Sequence, residues 1–382
     1  MSGRSRSATE NTKKRPFLTA RRRDRRVYLR SHPVLFALLS VTRRWPVLRW
    51  GRTVLVHDRQ AYLDGLTRVP LDRVAAGTTG GTARRLEAEG LLFDQEGTAH
   101  RGTRRSVHEG LGAAGVDRLR PVWLEVLDRR LAPLAQGGHV DLVPLAMELA
   151  GATTAALLDL DVDPLVLAQA ARVAAAATAH EQLPGLRWPG RDRAARLAAA
   201  RLTDLIATAT TATDSADGSG LAGMLAVAAI NTTVAALPRA VAWCADDRLW
   251  DWAADPATRG VLVAELLRVT APSPLLPRVA ASSGTVGGCP VRAGDRLVLV
   301  ARHAVDAHRS GPDCADPAPA RVAQLVFGAG SHACPGARLA RAQLSDTLAA
   351  LAAYRPVVVR ARADRRAALP SWASLVIQAG RR

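Results

Sequence analysis

Residues 221–244, LAGMLAVAAINTTVAALPRAVAWC, set the strongest limit on what this chain can fold into. The run is apolar on every side at helical spacing, and a helix without a polar face has to be buried. The pattern predicts one central helix with the rest of the chain packed around it. Pro238 lacks a backbone donor, so a kink or an early end is expected there. Asn231, Thr232 and Thr233 interrupt the apolar run with three consecutive polar side chains, which makes them candidates for a functional role.

The flanking sequence is mostly helical. Ala, Leu and Arg dominate it, and all three are strong helix formers. Helices are expected over 97–134 with an interruption at Pro121, over 141–160, twice within 163–213, over 256–270 and over 338–353. The two helices within 163–213 are joined by HEQLPGLRWPGRDR. Residues 45–57 read as strand broken at Gly51, and 278–301 as short strands and hairpins. Residues 59–90 are rich in Gly and Thr and read as loop, and DSADGSG at 214–220 is a breaker. Aromatic residues make up only 4%, so the core must be Ala, Leu and Val. The expected class is mainly α with a small β portion, in one domain over residues 31–382.

Eleven basic and two acidic residues fall in positions 1–30, so half of the net charge of +18 sits there. That segment reads as a basic, disordered arm. With the remaining charge dispersed, no nucleic-acid partner is expected. Residues 24–41 carry a faint twin-arginine pattern, but the apolar stretch Val34–Val41 is short and no small-residue cleavage site follows. No run reaches the length of a membrane span, so no transmembrane anchor and a cytoplasmic location are expected. Cys244, Cys289, Cys314 and Cys334 show no paired or zinc-type spacing, which suits a reducing compartment.

Cys334 lies in FGAGSHACPGARLARAQ, residues 327–343. Pro335 suits a first helical position, which would put Cys334 at a helix N-terminus where a thiolate is favoured. Gly328, Gly330 and Gly336 let the backbone come close to whatever the sulfur touches. One open thiolate suits a single axial bond to heme iron. Taken alone, the same residues also suit a redox-sensing or simply buried cysteine.

Phe327, Gly328, Gly330, His332, Cys334 and Gly336 together resemble the heme-binding loop of cytochromes P450, F-x-x-G-x-x-x-C-x-G, without a gap. Glu265 and Arg268, in ELLR, look like the family's E-x-x-R ion pair, with Arg321 as candidate third partner. His100 and Arg104 resemble the H-x-x-x-R that binds heme propionates, and Arg278 and His332 occupy the places of two further propionate ligands. AAINTT resembles the family's A-G-x-[D/E]-T-T, with Ala228 at its start. Thr232 then matches the threonine that hydrogen-bonds iron-bound dioxygen, and Asn231 stands where the family has an acid. Ala229 replaces the family's Gly. The resemblance covers roughly residues 45–380.

It implies the cytochrome P450 fold, with heme b (iron protoporphyrin IX) between a central distal helix and a proximal Cys-ligand loop. It further implies a bacterial monooxygenase that hydroxylates or similarly oxidises an apolar small molecule or specialised metabolite. Such enzymes use O2 and two electrons from a ferredoxin or flavodoxin, for which Arg101, Arg105, Arg338 and Arg341 offer a basic face. Substrate would meet the central helix, the 65–93 loop, Ser273–Leu276 and the expected turn Ser371–Leu375, none of which offers an obvious carboxylate. Asn231 motivates an alternative on the same fold: an atypical coupling, cyclisation, rearrangement or peroxide-driven oxidation.

Overall fold

The structure, a computed structural model, describes residues 6–78, 80, 81, 92, 95, 97–182, 191–210 and 219–380. Its helices are α1 (Arg6–Ser31), α2 (Pro33–Thr42), α3 (Arg59–Thr67), α4 (Gly97–Leu111), α5 (Ala113–Ala135), α6 (Leu142–Leu158) and α7 (Pro164–Gln182). They continue as α8 (Arg191–Ala209), α9 (Ser219–Asp246), α10 (Trp250–Ala254), α11 (Pro256–Thr270), α12 (Ala301–Ala304), α13 (Ala320–Ala323) and α14 (Ala337–Ala352). The strands are β1 (Val47–Trp50), β2 (Thr53–Val56), β3 (His139–Asp141), β4 (Leu276–Val279), β5 (Gly284–Val286), β6 (Cys289–Val291), β7 (Arg296–Leu299), β8 (Val357–Ala363) and β9 (Trp372–Gln378). The centre of the expected α7–α8 connection and most of DSADGSG lie outside the described residues, as do residues 82–91.

The apolar run is the single helix α9, packed against α1, α6, α7, α8 and α11. Contrary to the expectation that no run reaches the length of a membrane span, it is, among the described residues, a helix long and apolar enough to cross a membrane, and those neighbours make it a core helix. Its two halves differ. Val234–Cys244 is buried throughout, whereas 221–233 is partly accessible apart from Ala226 and Ile230. Pro238 does not end the helix. Arg239, the next residue, is 1% exposed and tied to other elements on three sides, and this tertiary anchoring overrides the local preference.

Short polar signals start several helices. Asp141 accepts from Val143 N–H at 3.0 Å at the head of α6, and Asp255 accepts from Ala257 N–H at 2.9 Å at the head of α11. Asp58 accepts from Ala61 N–H at 2.9 Å and starts α3 inside the segment expected to be loop. The break expected at Pro121 falls instead at Gly112, and Pro121 and Pro133 both lie within α5. A Cβ on Gly115 would stand 2.1 Å from Gly110 O, so the α4–α5 turn is too tight for a side chain there.

The β portion is small. The strand expected to break at Gly51, whose φ is +58°, folds there into a hairpin of β1 and β2, and β2 pairs parallel with β7, which pairs antiparallel with β4. β5 and β6 form a hairpin, and β3, β9 and β8 make a third sheet. The expected turn at 371–375 is mostly strand. Ser374 Oγ donates to Asp141 Oδ2 at 2.6 Å and Leu375 N–H to Asp141 Oδ1 at 3.0 Å, which fixes β9 against β3.

The N-terminal segment also departs from expectation. Basic composition suggested a disordered arm over 1–30, but its second half is docked. Ala20, Val27 and Tyr28 are buried, and Tyr28 O–H donates to Thr270 O at 2.5 Å. Asp24, 4% exposed, accepts from Arg239 Nε at 2.8 Å and faces Arg302 at 3.5 Å. Arg23 pairs with Asp246 at 2.6 Å. The acidic and apolar residues in the arm answer partners more than two hundred positions away, which a charge count along the chain does not register.

Candidate active site

Cys334 sits on the loop between a 3-10 turn, Gln324–Phe327, and α14. Gly328 at φ +76° and Gly330 at φ +72° hold left-handed conformations that carry the chain around it. Cys334 N–H donates to Phe327 O at 2.7 Å, closing the loop. α14 begins at Ala337 with Gly336 as its cap, so Pro335 precedes the helix and does not occupy its first turn. Of the four cysteines Cys334 is the exposed one, yet burial still pushes its thiol up. The Gly336 N–H and the charges of Arg104 and Arg341 act in the opposite direction and favour thiolate. A Cβ on Gly336 would lie 3.8 Å from Cys334 Sγ, so any longer side chain there would crowd the sulfur. Arg341 stacks over Phe327, its guanidinium carbon 4.7 Å from the ring centroid.

A basic cluster gathers in the same region. His100 is buried on the inner face of α4, and Arg104, one turn on, is partly buried, while Arg101 and Arg105 point outward. The His100 and His332 rings lie 4.0 Å apart. His332 is pushed down to about 4 by burial and by Arg73, His100, Arg278 and Arg104. Arg278, on β4, is pushed down to about 10 by burial and by Arg73. Its Nη1 donates to Pro277 O at 2.8 Å, and its buried Nε makes no hydrogen bond. Two histidines and three arginines crowd together here, and their mutual repulsion is what a dianionic ligand would relieve. The four members read from the sequence do come together. Arg73 was missed, because it lies in a loop with no motif around it.

The Glu265–Arg268 pair is buried and bidentate, with Arg268 Nε to Glu265 Oε1 at 2.8 Å and Nη2 to Oε2 at 2.6 Å. Arg268 also donates to Gly311 O at 2.7 Å and Val305 O at 3.2 Å. Glu265 accepts from the backbone N–H groups of Asp313 at 3.0 Å and Ala318 at 3.1 Å. These amides take the place expected of Arg321, which is exposed on α13. The pair thereby pins the meander leading into the Cys334 loop. Tyr62 on α3 adds a contact that sequence reading missed, its O–H donating to Leu325 O at 3.2 Å just before the loop.

On α9, Thr232 Oγ1 donates to Ala228 O at 2.8 Å, the usual back-bond of a mid-helix threonine. Its oxygen can still accept. Asn231 Nδ2 donates to Val227 O at 2.8 Å and to Ala171 O of α7 at 3.3 Å.

The residues on the Cys334 side fit heme b. They offer one accessible thiol beside a glycine, and a basic cluster with an orphaned Arg278 Nε suited to two carboxylates.

No protein-family model matches the chain. The erythromycin C-12 hydroxylase of Saccharopolyspora erythraea is 41% identical over 98 residues, which span 24% of this chain and 24% of that protein. Among solved structures, P450BioI in complex with an acyl carrier protein aligns over 92% of this chain and 100% of its own, at TM-score 0.75 and 16% identity. CYP164A2 of Mycobacterium smegmatis aligns over 92% and 97%, at TM-score 0.73 and 22% identity. On these alignments, which take in more than nine-tenths of the chain, it has the cytochrome P450 fold.

Proposed function

We propose that the chain is a heme-thiolate monooxygenase of bacterial specialised metabolism, with Cys334 as the axial ligand of heme b. The observation that carries this reading is the exposed Cys334, on a loop turned by Gly328 and Gly330, beside the basic cluster of Arg73, His100, Arg104, Arg278 and His332. Bound heme would supply activation of O2, and a thiolate ligand favours O–O cleavage. The chain's own residues do the rest. Burial raises the Cys334 thiol, while the Gly336 N–H, Arg104 and Arg341 act against that and favour the thiolate that an iron would bind. The basic cluster binds two propionates, and the glycines leave the sulfur approachable. Thr232, its hydrogen committed to Ala228 O, presents an oxygen that can receive a hydrogen bond from water or substrate. The partly accessible stretch of α9 that precedes Asn231 is Leu, Ala, Gly, Met and Val, which suits an apolar substrate.

Two electrons would come from an acidic ferredoxin or flavodoxin docking on Arg101, Arg105 and Arg338, all exposed. Arg341 belongs with the loop, since it faces Phe327. We place the enzyme in the cytoplasm beside such a donor. The erythromycin hydroxylase relative supports a bulky natural product as substrate class. Product formation from an apolar macrolide-type library, dependent on O2, a ferredoxin system and Cys334, is the supporting result. Heme-loaded protein that forms no product with either reductant or peroxide would refute the reading.

One observation favours the second reading, an atypical or peroxide-driven oxidation. Both Asn231 N–H groups face backbone carbonyls, so no acid at that position relays protons. Turnover with peroxide exceeding turnover with reductase would select it.

A further inference from the structure

We propose that Asn231 is a positioning residue: its amide brackets α7 to α9 and holds α7 in place over the Asn231–Thr232 face. The consequence for substrate rests on the proposed oxidation; the bracket itself does not. The geometry is specific. Nδ2 donates to Val227 O one turn back on its own helix and reaches across to Ala171 O at 3.3 Å. The reverse amide orientation would set Oδ1 against two carbonyl oxygens, so the hydrogen-bond network fixes which way the group points. The buried residues of α7, which packs on α9, are Leu167, Ala168, Ala171, Ala174 and Ala175. Such small side chains bring the backbones close but add no directional contact, so the Asn231 amide supplies one.

This explains why the residue is an amide and not an acid. A carboxylate has no hydrogen to offer and would place a charge against two carbonyls. The position has exchanged proton relay for helix registration. Protons crossing this part of the site would move through water. The placement of α7 over the reacting face, and with it the shape presented to substrate, depends on one side chain.

Hydrogen exchange of the heme-loaded protein, resolved to residues 168–175 of α7, tests the bracket. Asn231→Ala should speed exchange there about 5-fold, the equivalent of one net hydrogen bond. Asn231→Asp at pH 7 should speed it about 10-fold or more, because it adds repulsion to the loss. Helices α5 and α6 should exchange as in wild type in both variants, which reports an intact fold. As pH falls and the new carboxyl takes up a proton, it regains a donor, so the Asn231→Asp to wild-type ratio should decline. A simple packing defect would not titrate. Equal α7 exchange in all three proteins, or a ratio flat with pH, would overturn the proposal. Because the readout is backbone exchange, that failure would leave the heme-thiolate reading to its own spectrum.

Discussion

Asp24→Ala should destabilise the protein out of proportion to its place in an apparently disposable arm. Asp24 and Arg239 are 4% and 1% exposed, and their charges meet at 2.6 Å. Burial lowers the Arg239 pKa, but Asp24 and Tyr28 more than offset this, so its charge is retained. Removing Asp24 leaves Arg239 charged with only the Tyr28 hydroxyl at 2.6 Å and Pro370 O at 3.4 Å. Breaking a buried pair from one side costs about 3–5 kcal/mol. An unfolding entropy of about 2.1 cal/mol/K per residue makes 1 kcal/mol worth roughly 1.2 °C in a chain of this length. The expected fall in Tm is therefore about 4–6 °C by calorimetry. Asp24→Ala combined with Arg239→Met should recover much of that loss, because the uncompensated charge goes with the arginine. A fall below about 1 °C, or a double variant as unstable as the sum of its singles, would refute the reasoning.

Glu265→Gln should strip Arg268 of its charge partner and loosen the Asp313 and Ala318 amides, at about 3–5 kcal/mol, and the yield of soluble heme-loaded protein should collapse. Arg278→Leu should act in opposite directions on two measurements. It relieves a desolvated cation and raises apoprotein Tm, while heme transfer to apomyoglobin should quicken about 10-fold or more for loss of a charged contact. Acid should destabilise the fold through three neighbouring histidines, the buried His57 and His303 and the half-buried His308; His57 and His308 are each pushed down to about 4, and His303 to about 2. Their folded pKa values lie below the unfolded one, so their contribution is full above about 6.5 and is lost as pH falls toward 4. Asp247, raised to about 7, opposes them with one proton, leaving a slope of up to about 2–3 kcal/mol per pH unit near pH 5. Urea midpoints between pH 7 and 4.5 measure it, and a midpoint that rises on acidification contradicts it.

Features carried by neighbours in sequence were legible. The Cys334 loop is a fixed spacing of glycines around one thiol, and Glu265 with Arg268 shares a helix face at i and i+3. His100 and Arg104 sit one helical turn apart, so their meeting the same cluster follows from periodicity. Contacts between distant segments were not legible. Asp24 and Arg239 lie 215 positions apart. Arg321 matched a loose motif, whereas the atoms that satisfy Glu265 are backbone amides, which carry no sequence signature. Asn231 was visible as a departure from the acid, but its reason lay on another helix, in a carbonyl that any residue at position 171 would supply. Pro238 was read from local chemistry alone and was overruled by the buried anchoring of Arg239.

The central claim is that Cys334 ligates heme as a thiolate. The reduced, carbon-monoxide-bound absorption spectrum tests it most directly. Wild-type protein loaded with heme should show the strongly red-shifted Soret band of thiolate ligation. Cys334→Ala should lose that band, while Cys244→Ala, Cys289→Ala and Cys314→Ala keep it. Heme-loaded wild type without the band, or a Cys334→Ala variant that retains it, would contradict the account.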